Sequence, residues 1–271
     1  MASSDFLKWA HFLDSMVVFR NFAPSKMNRY FVTFQYDGTA YHGWQVQPNG
    51  HSVQAELQSA LSLLLRQPVE LVGAGRTDAG VHASCMVAHF DTENALDGVQ
   101  TAYRLNRILP RDIAVLSVEK VDGEMHARFS AVRRTYHYYI HTRKDPFIDH
   151  YSCLLHYNLD YDLMNEAGRI LTTYHDFAAF CKSHTDVKTT FCEVTEARWD
   201  QLDDHRYRFT ISANRFLRNM VRAVVGTLVD VGRGRISLQE FRRIIESGQR
   251  TRAGESMPAH ALFLHDIKYP R

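Results

Sequence analysis

The residue types best suited to chemistry lie close together in residues 71–91. An arginine and an aspartate, Arg76 and Asp78, occupy a polar loop between two apolar, strand-forming segments, 69–72 and 84–90. The loop also contains three glycines: Gly73, Gly75 and Gly80. Glycine permits backbone angles and close approaches that a side chain would prevent. The pattern predicts a strand–loop–strand that holds a charged pair rigidly, although a hairpin with both charges solvated is equally typical of glycine-rich turns.

A glycine-rich loop of this kind can also bind a nucleotide phosphate. That function requires a helix directly after the glycines, so that its N-terminal N–H groups point at the phosphate. Residues 81–90 instead have the composition of a strand, and the loop lacks the lysine of a Walker motif. The sequence therefore argues against a nucleotide-binding loop.

A second candidate segment, residues 127–140, combines basic and aromatic side chains. The basic pair Arg133 and Arg134 precedes a run that strongly favours a strand. In a strand, Arg134, Tyr136 and Tyr138 share one face. An aromatic core strand explains this run structurally, and an RNA-binding surface explains it functionally.

The third candidate segment, residues 214–229, predicts a long amphipathic helix. Apolar residues recur every four positions: Phe216, Met220, Val224 and Leu228. Three arginines occupy more polar positions: Arg215, Arg218 and Arg222. A core helix with a solvated basic rim accounts for the pattern. Because basic clusters flank the candidate segments, an RNA-facing role is also indicated.

The remaining periodicity predicts the elements that must position these segments. Strands are expected at 30–36, 113–121, 193–199, 206–212 and 261–269, and helices at 52–65, 99–109 and 160–171. Ser237 and Glu240 form a capping box that opens a last helix. In the helix at 99–109, Ala102, Leu105 and Ile108 should face inward. This mixture of strands and helices predicts an α+β fold.

Composition excludes several classes of protein. The chain has 271 residues, 45% hydrophobic and 23% charged, which is typical of globular proteins, and its net charge of +2 does not by itself indicate a nucleic-acid partner. Its four cysteines and fifteen histidines show no metal-ligand spacing, and reduced thiols fit a cytoplasmic protein. No uncharged run is long enough to cross a bilayer. Residues 1–26 are a poor signal peptide, and we expect either an N-terminal extension of unknown role or upstream sequence from a misassigned start.

Residues 73–83, Gly-Ala-Gly-Arg-Thr-Asp-Ala-Gly-Val-His-Ala, resemble the signature loop of the tRNA pseudouridine synthase A family. Three further segments resemble the same family: 36–45, 127–131 and 216–226. The resemblance implies a pseudouridine synthase fold with two similar α/β halves, 27–126 and 127–271. Their antiparallel sheets would join into one extended mixed sheet, with the active cleft between the halves.

The resemblance also implies an activity, the isomerisation of uridine to pseudouridine at positions 38, 39 and 40 in the anticodon arm of tRNA. Asp78 would be the catalytic carboxylate, Tyr136 the active-site tyrosine and Arg222 the partner of Asp78, bound through two parallel hydrogen bonds. Arg76 would help the target nucleotide leave its stack. Further RNA contacts are expected from four arginines: Arg133, Arg134, Arg215 and Arg218. No metal or cofactor is required, and the family implies a homodimer.

The alternative is an RNA-binding module without catalytic activity. Such a module accounts for the basic and aromatic residues around Tyr136 equally well. It gives no role to Asp78, because a carboxylate among RNA-facing arginines repels phosphate. We therefore favour the enzyme.

Overall fold

The computed structural model describes residues 27–48, 50–182 and 187–270, so the predicted extension at 1–26 lies outside the described residues. The strands are β1 (Asn28–Tyr36), β2 (Val72–Gly73), β3 (His82–Thr92), β4 (Ile113–Val121), β5 (Arg133–His141), β6 (Cys153–Leu154), β7 (Val194–Gln201), β8 (Arg206–Ala213) and β9 (Leu262–Lys268). The helices are α1 (Val53–Leu65), α2 (Gly98–Ile108), α3 (Tyr161–Leu171), α4 (Met220–Gly232) and α5 (Leu238–Ser247). In this part of the chain no helix is both long and apolar enough to span a membrane.

All nine strands belong to one mixed sheet with the order β4-β1-β3-β9-β5-β8-β7, in which β2 pairs with β3 and β6 with β5. The last strand, β9, joins the two parts of this sheet. It pairs in parallel with β3 at His82 and Ala83, and antiparallel with β5 along most of its length. The predicted α+β fold with one extended mixed sheet is therefore confirmed.

The two halves repeat one topology. The first half runs β1-α1-β2-β3-α2-β4 and orders its strands β4-β1-β3-β2. The second half orders its main strands β9-β5-β8-β7 and runs β5-α3-β7-β8-α4-β9, with two additions, β6 after β5 and α5 after α4. Apart from β6, each strand of one half thus has a counterpart at the same position in the other. The fold is repeated although the residues show no clear repeat.

Two hydrophobic clusters form the core. One lies among β1, β3, β4, α1 and α2, and the other among β5, β7, β8, α3, α4 and α5. Ala127 and Ala131, which precede β5, pack in the first cluster, as do Leu264 and Ile267 of β9. Residues from the second half therefore pack in the hydrophobic cluster of the first half. The domain boundary between residues 126 and 127 stays a prediction.

Local capping explains where the helices begin. The Ser52 hydroxyl accepts a hydrogen bond from the Ala55 N–H at the start of α1, and the Ser237 hydroxyl does the same for Glu240 at the start of α5. Two predictions about the helices were wrong. Helix α4 begins at Met220 and not at residue 214, because Asn219 has a φ of 66°, which a right-handed helix does not permit. Ile108 is 40% exposed and does not face inward.

Candidate active site

The loop that carries Arg76 and Asp78 spans the junction between the two halves. Strands β2 and β9 pair with the same edge of β3 but at opposite ends, β2 beside His89 and Ala88 and β9 beside His82 and Ala83. Residues 74–81 connect β2 to β3. They therefore lie next to the end of β3 that pairs with β9. A side chain on this loop can meet side chains from the second half.

Residues 36–45 contact the loop at 74–81 and the glycine that precedes it. The Tyr36 and Thr77 hydroxyls lie 2.8 Å apart, and the Trp44 N–H donates to the Thr77 carbonyl at 3.4 Å. The Trp44 indole fills the space beside Gly73, where an added Cβ would lie only 2.5 Å from Nε1. Two of the segments that resemble the family, 36–45 and 73–83, therefore contact each other. The contact holds Thr77, the residue next to Asp78, in place.

The structure brings Asp78 and Arg222 together from opposite halves. Arg222 lies in the first turn of α4, and its Nη1 is 3.7 Å from Asp78 Oδ2. The Arg222 Nε donates to the Met257 carbonyl at 2.6 Å, and the Met257 N–H donates to the Arg222 carbonyl at 3.1 Å. The expected pair of parallel hydrogen bonds between the two side chains is absent, because one side of the guanidinium is already bound to main chain. The contact is an ion pair with both side chains partly exposed.

Tyr136 lies on β5 beside this ion pair. Its ring meets the Phe216 ring edge-on, with the centroids 5.0 Å apart and an interplanar angle of 86°. Burial raises the pKa of the Tyr136 phenol, and the negative charge of Asp78 raises it further. The phenol is therefore protonated at neutral pH. Its hydroxyl makes no hydrogen bond to any residue that the structure describes, so it is free to meet a substrate.

The predicted RNA-contact arginines differ in their surroundings. Arg76 and Arg218 are exposed, and their side chains make no hydrogen bond or ion pair within the described ranges. Arg215 is partly buried and makes one long contact to the Thr189 carbonyl at 3.4 Å. Arg133 is exposed, but the alternation of β5 directs it to the sheet face opposite to Tyr136. Arg134 is on the same face as Tyr136, and its guanidinium is bound to main-chain carbonyls.

A residue that the sequence did not single out, His82, connects the halves just behind the loop. It is 1% exposed; its Nδ1 accepts from the Gly38 N–H at 3.0 Å, and its Nε2 lies 2.9 Å from the His260 carbonyl. The Gly38 N–H calls for an acceptor at Nδ1 and the His260 carbonyl for a donor at Nε2, which favours a neutral ring with its proton on Nε2, whereas Asp37 Oδ1, 3.0 Å from Nδ1, favours a proton there. Burial lowers the pKa of His82, in agreement with the neutral form, although Asp37 nearby opposes this shift. The only sequence signal was its place within residues 73–83.

No three His, Cys, Asp or Glu side chains of the described segments converge as ligands for a metal ion. The four cysteines, which are all described, form no disulfide bond with one another.

Comparison with known proteins shows similarity along most of the chain. A family model described as tRNA pseudouridine synthase matches residues 32–130 and 171–270. These ranges include Asp78 and Arg222 but not Tyr136, Arg133 or Arg134.

Individual relatives match over nearly their whole length. The chain is 55% identical to the tRNA pseudouridine synthase A of Bacteroides thetaiotaomicron over 246 residues, which cover 90% of this chain and 91% of the relative. It is 54% identical to the protein of the same name from Bacteroides fragilis, covering 90% and 98%. It is 40% identical to that of Bacillus subtilis, covering 88% and 97%. The chain therefore belongs to the tRNA pseudouridine synthase family, whose members are isomerases.

Proposed function

We propose that this protein converts uridine to pseudouridine in the anticodon stem-loop of tRNA, at positions 38, 39 and 40, and that Asp78 is the catalytic carboxylate. The positions are what the family resemblance implies, and one observation carries the catalytic role of Asp78. Asp78 lies 3.7 Å from Arg222 and close enough to Tyr136 for its charge to raise the pKa of the phenol, so one carboxylate, one guanidinium and one phenol from three segments meet at the junction of the halves.

The reaction needs few groups. The bond between ribose C1′ and base N1 breaks, the uracil rotates, and a new bond joins C1′ to C5. The C5 proton leaves, and N1 gains a proton, so that atoms and charge balance without oxidation or hydrolysis. Asp78 would act as an ionised carboxylate, as a nucleophile at C1′ or C6 or as the base that removes the 2′ proton. The Arg222 guanidinium places a positive charge 3.7 Å from that carboxylate.

Tyr136 supplies a protonated phenol and an aromatic face beside Asp78. A base stacked on an aromatic ring gains about 1–3 kcal/mol, which holds an unstacked uracil but explains only part of a catalytic effect. We propose that its hydroxyl, which has no hydrogen-bond partner among the described residues, relays the C5 proton, accepting that proton as it gives up its own. We assign Tyr136 both roles.

The target uridine must leave its stack before it can reach Asp78. Extruding a base costs a few kcal/mol, and a guanidinium can occupy the space that the base vacates. Arg76 is exposed and lies two residues before Asp78, which supports this role. Arg215 and Arg218 precede α4 and are proposed to contact tRNA phosphates, and Arg133 is proposed as a phosphate contact on the opposite sheet face.

Two further proposals concern the state of the protein. We propose a homodimer, which light scattering coupled to size exclusion tests directly: a mass of one chain contradicts it. We propose a cytoplasmic location, which the lack of disulfide bonds among the four cysteines supports. Fractionation of cells that produce the protein tests the location.

Tritium release tests the enzyme. Purified protein is incubated with tRNA that contains uridine labelled with tritium at C5, because formation of pseudouridine releases that label to water. Release from wild-type tRNA, and none from a tRNA with cytidine at positions 38, 39 and 40, is the expected result. Binding of tRNA without any release would favour the RNA-binding module, and equal release from both tRNAs would place the target elsewhere.

A further inference from the structure

The Arg134 side chain binds main chain from three separate parts of the molecule. Its Nη1 donates to the carbonyls of Ala131 at 2.7 Å and Asn214 at 2.8 Å. Its Nη2 donates to the carbonyls of Ala74 at 3.0 Å and Arg128 at 2.6 Å. These distances are those of well-formed hydrogen bonds with a charged donor.

The four carbonyls lie in the segments that carry the site. Ala74 directly follows β2 and begins the loop that holds Asp78. Asn214 directly follows β8 and begins the segment that leads to Phe216, which contacts Tyr136, and then to α4. Residues 127–131 precede β5, and Arg134 itself lies on β5 two residues before Tyr136. One guanidinium therefore touches every segment that leads to a proposed catalytic group.

These contacts leave Arg134 poorly suited to bind a phosphate. A guanidinium has five N–H donors, and four of those in Arg134 are already used. A phosphate could reach the fork only by displacing carbonyls that would then need new partners. Burial also lowers the pKa of Arg134, as expected for a desolvated cation, whereas Arg218 is exposed and unpaired within the described ranges.

We propose that Arg134 is a positioning residue that sets the placement of the Asp78 loop relative to Tyr136 and to the segment leading to Arg222, and that it does not contact tRNA. This inference rests on the proposed isomerase function and replaces the RNA contact that a basic pair in sequence suggests. A lysine preserves the charge at this position but has no planar fork, so it cannot bind the four carbonyls together.

The test uses two variants and one control. Arg134→Lys keeps the positive charge, and Arg134→Gln removes it. Arg29→Lys is the matched control, because Arg29 is also a partly buried arginine that binds a main-chain carbonyl, that of Met125, together with the Asp91 carboxylate. Arg29 lies at the start of β1, at the opposite end of that strand from Tyr36 and the loop.

Single-turnover rates and tRNA affinity are measured for all three variants over a range of salt concentrations. Both Arg134 variants should lose about 10- to 100-fold in the rate of pseudouridine formation, because small displacements of catalytic groups have effects of this size. Their tRNA Kd, and the slope of log Kd against log salt concentration, should equal those of the wild type. Arg29→Lys should keep the wild-type rate.

Hydrogen exchange provides a readout that needs no isomerase activity. Peptides that cover residues 74–81 should exchange faster in Arg134→Lys than in the wild type, because the loop loses its contact at Ala74. The same peptides should exchange at the wild-type rate in Arg29→Lys. If the wild type releases no tritium from any tRNA, the proposed function fails, and the exchange experiment alone then decides the role of Arg134.

Three results would overturn the inference. Wild-type turnover in Arg134→Lys would show that charge alone suffices. A weaker Kd in Arg134→Gln with a salt slope reduced by about 0.7 to 0.9 would show a lost phosphate contact. Unfolding of Arg134→Lys under conditions in which Arg29→Lys remains folded would show that Arg134 supports the whole fold and not the placement of these segments.

Discussion

At the scale of single residues, the Arg222 side chain is held both by a hydrogen bond to a main-chain carbonyl and by its ion pair with Asp78. Arg222 is 3.7 Å from Asp78, and its Nε is bound to the Met257 carbonyl. A guanidinium fixed in this way cannot rotate freely, so the positive charge stays near the carboxylate whether or not a substrate is bound. The short segment around Met257 is thus part of the site, although its contribution is only a carbonyl.

We predict that Arg222→Lys destabilises the protein and slows turnover, and that Arg222→Ala does both more severely. Lysine has no Nε–H at the position that meets Met257, and hydrogen bonds to charged groups contribute about 1.5–3 kcal/mol. Urea unfolding should show a loss of about this size. Arg218→Ala is the control, because its exposed side chain has no partner among the described residues; equal unfolding curves for the Arg218 and Arg222 variants would contradict this explanation.

Tyr136→Phe separates stacking from proton transfer. Because the Tyr136 hydroxyl has no partner among the described residues, its removal should leave folding and tRNA affinity unchanged. Turnover should fall on the order of 10²-fold or more, the range of general acid–base effects. A Tyr136→Phe enzyme with wild-type single-turnover rates would leave stacking as the only role of this residue.

At the scale of elements, the loop from β2 to β3 is rigid because residues 36–45 pack beneath it. Trp44 is 3% exposed, and its ring packs against Phe34 with the centroids 5.4 Å apart. The Trp44 indole cannot move away from Gly73 without disturbing the hydrophobic cluster of the first half. Because Gly73 has no side chain, the start of the loop can lie against the Trp44 ring.

We predict that Gly73→Ala lowers the melting temperature and that Gly75→Ala does not. A Cβ at Gly73 would lie 2.5 Å from the Trp44 indole, whereas a Cβ at Gly75 would have no atom within 4 Å. Overpacking of a core typically costs about 1–3 kcal/mol. Equal melting temperatures of the two variants would show that Trp44 moves and that the loop is not held as described.

The positions of helices and strands follow well from sequence periodicity. Exceptions occur where the backbone conformation of one residue sets the end of an element. The strand at 113–121 and the helix bodies agree with the pattern, because alternation and the helical repeat reflect burial directly. The start of α4 does not, since residues 214–219 carry the same apolar spacing as the helix that follows. The left-handed conformation of Asn219 interrupts that spacing, and no side-chain pattern records it.

The site was predictable to a similar extent. Asp78 and Arg222 were paired through a family resemblance and do lie together. The acceptors of Arg134 and of Arg222 are carbonyls, which every residue possesses, so no spacing of residue types could reveal them. Basic residues in sequence consequently look alike, although Arg134 is bound to main chain and Arg218 is not.

At the scale of the whole molecule, buried histidines link stability to pH. Burial, aided by nearby positive charge, lowers the pKa of His89 to about 4 and that of His137 to about 3. His137 also stacks on His265 with the centroids 3.7 Å apart. Between these values and the ordinary pKa of about 6.5, the unfolded chain binds protons that the folded protein does not. The stabilisation is complete above about pH 6.5 and is lost as the pH falls toward 4 and 3.

We predict that the free energy of unfolding decreases on acidification below about pH 6.5, by up to about 1.4 kcal/mol per pH unit for each such histidine. Urea unfolding at several pH values measures this slope. His137→Asn should flatten it, whereas His156→Asn, which alters an exposed ring, should not. An unchanged slope in His137→Asn would show that His137 does not contribute.

The central claim is that one carboxylate, brought to the junction of two topologically equivalent halves, performs the isomerisation. Tritium release in single turnover by Asp78→Asn tests it most directly, with Asp97→Asn as the control, since asparagine also caps a helix such as α2. We predict that Asp78→Asn binds tRNA as the wild type does but forms product at least on the order of 10³-fold more slowly, while Asp97→Asn remains active. Product formation by Asp78→Asn at the rate of the control would contradict the account.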